Sequence, residues 1–446
     1  MKASAAALLF LSLFVPFAYF NHSDGWNQGA RLAELHAIVL QRTLTIDKYH
    51  EVTGDKALVG GHYYSEKAPA IVVMALPAFT ATVLAQRMAG IDPDAPEAWR
   101  VSNWTATAGS VGIIASIGGV AFFSLLRHRM STAAALISTY ALFLGSIVFP
   151  YATALFAHAG TIGLLAIALW AACGRESSRR DYISGLAAGF AVASEYPAVI
   201  PGTAIGLYLV HANPMRAWRY GLALIPAALL ILGNNYLIAG SPFSIGYGSN
   251  PAFPEINASN SFGFNPPDPE ALRHLVWGEY RGLFFWCPVL LMAIPGVVVL
   301  FKEDRRTAWM TVSVFALMML QVGSFYSWFG GNAVGPRYLS PALPFVGLAA
   351  AYGIKRFPIP GAMLTAASVA MTGMVSAIAI DPPQEVLTPL QSFYLVRWRT
   401  DRFVENLGTL LGLSLATSLL LLLVIVAATG AGVWLMTRHQ SAPHPA

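Results

Sequence analysis

What most constrains this chain is a succession of apolar runs, each long enough to cross a hydrocarbon layer of about 30 Å. They fall near residues 5–20, 104–126, 132–149, 157–174, 218–239, 285–301, 308–327, 338–354, 358–379 and 409–437. The stretch 182–211 adds a region long enough for two short helices, with Glu195-Tyr196-Pro197 at the turn between them. Lipid offers no water to backbone polar groups, so such runs close their hydrogen bonds internally as helices. The expected fold is an all-α polytopic membrane protein with about twelve transmembrane helices. Composition agrees: 56% hydrophobic, 11% charged and a mean hydropathy of +0.57 leave few polar side chains to cover a soluble globule.

Charge sets the direction of threading. Lys2 precedes the first run, and no small-x-small cleavage site follows it, so 1–20 is expected to be a retained signal anchor. The apolar segment Ala68 to Met88 must be decided by charge. Taken as an interfacial helix, it places Arg127/Arg129, Arg175/Arg179/Arg180, Arg216/Arg219, Lys302/Arg305/Arg306, Lys355/Arg356 and Arg438 all on the inner side, as the positive-inside rule requires. Both termini are then cytoplasmic, in the cytoplasmic (inner) membrane. The chain divides into the anchor 1–20, an outer loop 21–103 with two juxtamembrane helices, transmembrane helices 2–7 over 104–239, an outer loop 240–284, helices 8–12 over 285–437 with an outer loop 381–407, and a cytoplasmic tail 438–446. The net charge of +5 is spread over short interhelical loops, which argues for topology and against nucleic acid. Cys173 and Cys287 have no disulfide or zinc spacing, the histidines are dispersed, and no metal is expected.

The long loops lie on the outer side, where binding and catalysis are expected. In the first, Asn27 to Arg42 has an amphipathic period, with Leu32, Leu35, Val39 and Leu40 apolar and Arg31, Glu34 and Gln41 polar. Thr45-Ile46-Asp47-Lys48-Tyr49 follows, then a Gly-rich turn leads into Tyr63-Tyr64-Ser65-Glu66-Lys67-Ala68-Pro69. Two interfacial helices joined by a polar hinge would make a shelf at headgroup depth. A Lys ammonium there neutralises a phosphate directly; it also serves, in other settings, as a plain snorkelling anchor.

Tyr64-Ser65-Glu66-Lys67-Ala68-Pro69 resembles the aromatic-x-Glu-Lys-Pro-Pro segment of the GT-C class of integral membrane glycosyltransferases, which includes protein O-mannosyltransferases and lipid A aminoarabinose transferases. The resemblance implies a GT-C-like fold, a polyprenyl-phosphate-linked sugar as co-substrate and no further cofactor. It gives Lys67 the role of holding the lipid phosphate, with Tyr64 beside it. Where that class carries an Asp-Glu pair on its first juxtamembrane helix, this chain has Asn27-Gln28. The nearest substitutes for a general base are Asp47 and Asp24, either of which also fits a helix cap, and Glu66 is expected to orient Lys67 or the acceptor.

Further outer-face groups are Glu195 at its helix break, Tyr280-Arg281 in Trp277-Gly278-Glu279-Tyr280-Arg281-Gly282, and Arg337 in Gly335-Pro336-Arg337-Tyr338. Each arginine suits a phosphate or a headgroup. His158 follows Phe149-Pro150-Tyr151 and is expected to be a satisfied structural histidine. The function expected is transfer of a sugar from a polyprenyl-phosphate donor to a hydroxyl of a glycan, lipid or protein at the outer face. Alternatives are a transporter or flippase of lipid-linked sugars, or a glycan polymerase or ligase.

Overall fold

The computed structural model describes residues 2–23, 25–253 and 263–438. The chain is predominantly helical. In order come α1 Ala3–Tyr19, α2 Trp26–His36, a hairpin of β1 Lys56–Val59 and β2 His62–Ser65, then α3 Ala70–Met88, α4 Pro96–Thr107, α5 Ile113–Arg127, α6 Thr132–Phe143, α7 Val148–Ala152, α8 Ala157–Ala172, α9 Ser178–Ser194, α10 Val199–Ala212 and α11 Pro214–Ala239. After the segment 240–284 the long helices are Ala293–Glu303, Arg305–Gly323, Leu343–Arg356, Pro358–Ile378 and Leu415–Thr437.

Length and apolar composition would let five described helices cross a bilayer: Ala70–Met88, the continuous Pro96–Arg127, Pro214–Ala239, Pro358–Ile378 and Leu415–Thr437. Ala3–Tyr19, Thr132–Phe143 and Ala157–Ala172 are apolar but shorter. Several expected spans are instead broken. The run 285–301 is a one-turn helix Leu283–Trp286, a 3-10 turn Pro288–Met292 and only then a helix, because Pro288 lacks the N–H that would continue the first turn. The run 338–354 likewise opens as a 3-10 turn, Arg337–Ala342, holding Pro341. The break between α9 and α10 falls at Glu195, followed by the 3-10 turn Tyr196–Ala198, where the sequence put it.

Close helix packing rests on small residues. At the α5/α8 crossing a Cβ on Gly118 would lie 2.4 Å from the Gly163 Cα, an approach open only to glycine. α3 runs antiparallel to α4: the Thr82 hydroxyl donates to Thr105 at 2.7 Å, and Gln86 Nε2 donates to the Ala98 carbonyl at 2.9 Å. Its C-terminal half thus lies along a polar segment carrying Glu97, Arg100 and Asn103.

The all-α expectation misses the hairpin. Gly60 and Gly61 have φ of +59° and +84°, the conformation of a two-residue primed turn, and the strands pair Lys56 with Ser65 and Val59 with His62. The segment between α2 and α3 is therefore a built element. It hangs on Asp47, whose carboxylate accepts from the Tyr63 N–H and from His62 Nδ1–H, both at 2.7 Å.

Candidate active site

The hairpin delivers Ser65, Glu66 and Lys67 to a buried polar cluster. Lys67 Nζ donates to Glu66 Oε1 and lies against Asp55 Oδ2, each at 2.8 Å, and its side chain is 7% exposed. Asn250 Nδ2 donates to Glu66 Oε2 at 2.6 Å and to the Gly54 carbonyl at 3.1 Å. The Tyr247 ring lies 5.4 Å from Nζ, so the segment Gly246–Asn250 covers the pair. A crevice with room for about one water molecule borders Ser65, Glu66, Lys67, Tyr196 and Asn235.

α2 supplies a second cation and carboxylate. The sequence assigned Arg31 and Glu34 to the polar face of a helix lying flat on the membrane; the structure buries both, at 3% and 5% exposure. Arg31 Nη1 donates to the Asn27 carbonyl and side chain, one turn earlier, and its Nε has no partner. Glu34 Oε2 is also buried without a partner. Burial pushes the Glu34 carboxyl up to about 7, against the opposing pull of the Ser65 hydroxyl and Arg31. Burial alone would lower Lys67, but Asp55 and Glu66 outweigh it and hold the ammonium charged, well above the ordinary lysine range. Burial raises the Glu66 carboxyl, with Lys67 opposing.

The bundle closes the cluster from below. His158, in the first turn of α8, meets Glu195 Oε1 through Nδ1 at 2.5 Å and Ser340 Oγ at 3.1 Å. His158 Nε2 and Glu195 Oε2 are both buried and unpartnered. Arg337 enters from the 3-10 turn that carries Ser340; its Nε is likewise buried without a partner. Asp55 is within electrostatic reach of both Arg31 and Arg337.

Of the other expected site residues, Arg281 lies within electrostatic reach of Arg337, while Tyr280, Asp47 and Tyr64 serve the loops and the hairpin. Arg281 is fully buried and donates through Nε, Nη1 and Nη2 to the carbonyls of Phe329, Tyr280 and Gly331 at 2.6, 2.9 and 2.8 Å, so its guanidinium staples its own loop to the 329–331 loop. Tyr280 donates to the Gln384 carbonyl at 2.6 Å on the same side. Asp47 is exposed and pins the hairpin. Burial alone would raise its carboxyl, but the Tyr63 N–H and His62 together bring it below the usual range. Asp24 lies outside the described residues. Tyr64 pairs with Ala57 in the hairpin.

Sequence reasoning missed Arg31, Glu34, Asp55 and His158 as members of one cluster. A signal existed for two of them: Arg31 and Glu34 stand at i, i+3 on a helix next to the Lys67 motif, a spacing that puts both side chains on one face. Among the described residues no three His, Cys, Asp or Glu side chains gather in a metal-ligand arrangement.

No protein-family model matches the chain, and no curated protein does. Two solved structures are similar to it over nearly its whole length. ArnT from Cupriavidus metallidurans bound to undecaprenyl phosphate is 17% identical with a TM-score of 0.49, covering 97% of this chain and 74% of its own. The archaeal oligosaccharyltransferase AglB from Archaeoglobus fulgidus, in complex with an inhibitory peptide and a dolichol-phosphate, is 12% identical with a TM-score of 0.45, covering 99% of this chain and 56% of its own. Both are GT-C class membrane glycosyltransferases.

Proposed function

We propose that this chain is a membrane glycosyltransferase that moves a sugar from a polyprenyl-phosphate donor to a hydroxyl of a glycan, lipid or protein on the outer face of the cytoplasmic membrane, with α2 and α3 as juxtamembrane elements. The observation that carries it is the buried cluster of cations and carboxylates around Lys67, built by Tyr64 to Pro69 and α2 beside a bundle of apolar helices. A buried ammonium and two arginines with an unpartnered Nε each are what an anionic head group needs at a lipid boundary.

Transfer to a hydroxyl needs a base, and Glu34 replaces Asp47 and Asp24 in that role. Its carboxyl, at about 7, is tuned to accept a proton near neutral pH. The acceptor oxygen attacks the anomeric carbon as Glu34 takes its proton, the bond from that carbon to the phosphate oxygen breaks, and the carrier phosphate leaves. Single displacement inverts the anomeric centre. Lys67 and Arg337 hold the phosphate; for Lys67 this means trading one of its two carboxylate partners for a phosphate oxygen.

The test is mass spectrometry of envelope glycoconjugates with and without the protein, joined to transfer assays in proteoliposomes loaded with a polyprenyl-phosphate sugar. Loss of one sugar unit from a glycoconjugate is the expected result. Loss of an oligosaccharide would assign a polymerase or ligase, and substrate crossing the vesicle with no new glycosidic bond would replace transfer by transport.

A further inference from the structure

His158 is a buried histidine with one ring nitrogen committed and the other orphaned. Nδ1 is shared by Glu195 Oε1 at 2.5 Å and Ser340 Oγ at 3.1 Å, while Nε2 is buried with no partner. A carboxylate on one nitrogen fixes the ring and favours a proton there, so the other nitrogen is left to act on whatever enters. Most buried polar side-chain atoms are paired, so the orphaned Nε2 calls for a ligand or a role.

The surroundings favour an anion. Ser340 Oγ donates to the Arg337 carbonyl at 2.5 Å, tying His158 to the turn that carries Arg337. The Phe156 ring lies 5.7 Å from the Arg337 guanidinium and 5.6 Å from the imidazole, so both cationic groups flank one aromatic side chain. His158 also occupies the first turn of a 16-residue helix, whose free N–H groups add positive potential. The charged and titratable groups facing the imidazole are Glu195 after α9, Arg337 in the 3-10 turn, Tyr151 of α7 with its ring 5.0 Å away, and Arg31 of α2.

We infer that His158, clamped by Glu195 and set beside Arg337, forms the subsite for the departing carrier phosphate, becoming protonated as a phosphate monoester binds. This rests on the lipid-phosphate reading above. When the anomeric bond breaks, its electron pair stays on the phosphate oxygen and a monoanionic diester becomes a dianionic monoester. The acceptor's proton is on Glu34; the proton on His158 comes from solvent. The imidazolium Nε2–H and the Arg337 Nε–H meet the second charge, with Glu195 balancing the imidazolium.

The experiment is titration calorimetry of geranylgeranyl phosphate into the full-length protein in detergent, at pH 7.5 in two buffers of different ionisation enthalpy, so that proton uptake per bound ligand is read directly. The wild type should take up protons on binding, and so should Glu34→Gln. Glu34 also takes up protons when an anion binds beside it, so the comparison is made in the Glu34→Gln background: there His158→Gln should abolish the uptake, and in Arg337→Gln affinity should fall about tenfold. Uptake unchanged when His158→Gln is added to Glu34→Gln overturns the inference while leaving the lipid-phosphate reading standing. A wild type that does not bind geranylgeranyl phosphate overturns both. Should His158→Gln fail to fold, Glu195→Gln in the same Glu34→Gln background serves instead: undiminished uptake there overturns the inference.

Discussion

Replacing Lys67 with Met removes a cation that Asp55 Oδ2 and Glu66 Oε1 both approach to 2.8 Å. The three side chains are 7%, 14% and 2% exposed, so water screens the loss poorly. Breaking a buried ion pair by deleting one partner typically costs about 3–5 kcal/mol, because the remaining charge is left uncompensated. Lys67→Met should therefore lose both stability and transfer, and transfer alone would not separate a phosphate clamp from a structural strut. The triple variant Asp55→Asn, Glu66→Gln, Lys67→Met does separate them. It neutralises the set while nearly keeping its shape, and such replacements are often close to neutral in stability. Unfolding in detergent, followed by tryptophan fluorescence, should show the single variant about 3–5 kcal/mol below wild type and the triple variant recovering most of that. Transfer in proteoliposomes should be absent from both. A triple variant that transfers sugar at the wild-type rate would remove Lys67 from the chemistry. A single variant as stable as wild type would refute the buried ion set.

Glu34→Gln should cut transfer by about 10²- to 10⁴-fold yet stabilise the fold above neutrality. The folded carboxyl sits at about 7 against an ordinary 4.5; a raised acid favours the fold fully at low pH and loses that contribution as pH climbs from 4.5 through 7. The loss amounts to about 3 kcal/mol, so the variant should outlast wild type at pH 8 and match it near pH 4; a difference that does not vary with pH refutes the buried acid. Arg281→Lys gives up most of three carbonyl bonds and should cost about 1–3 kcal/mol of stability with geranylgeranyl phosphate affinity unchanged, whereas a tenfold weaker affinity would return Arg281 to the phosphate site. Glu51→Cys, in a background with Cys173 and Cys287 replaced by Ser, should react with a membrane-impermeant maleimide in intact cells. Reaction only after lysis would put the hairpin in the cytosol.

The apolar runs and the break at Glu195 were legible because hydropathy and proline act locally. Full-length spans at 285–301 and 338–354 were not, since Pro288 and Pro341 interrupt helices at positions where a sliding window still sees only apolar side chains. Gly60-Gly61 between short alternating segments was a readable hairpin signal; the reading of a hinge passed over it. Lys67 is legible from its motif, but its partner Asp55 lies 12 residues away and Asn250, which holds Glu66, lies 184 residues from that carboxylate, and nothing local announces such a meeting. Arg31 and Glu34 were seen and given to solvent, because amphipathic period tells which face is polar and not whether that face meets water or a buried cluster.

Charge balance in the cluster leads to a last expectation. Formally, Arg31, Lys67 and Arg337 cancel Asp55, Glu66 and Glu195, so the charge of the set turns on Glu34. Protonated, Glu34 leaves the cluster neutral and open to a phosphodiester monoanion; ionised, it adds a negative charge that repels the donor but is the form able to take the acceptor's proton. One carboxyl at about 7 thus pulls binding and chemistry in opposite directions. As pH rises from 6 to 8.5, kcat should climb and donor KM should climb with it, leaving kcat/KM much flatter than either. In Glu34→Gln the residual KM should lose this dependence. A wild-type KM constant over that range would place the donor phosphate beyond the reach of Glu34, and with it refute a shared site for base and phosphate.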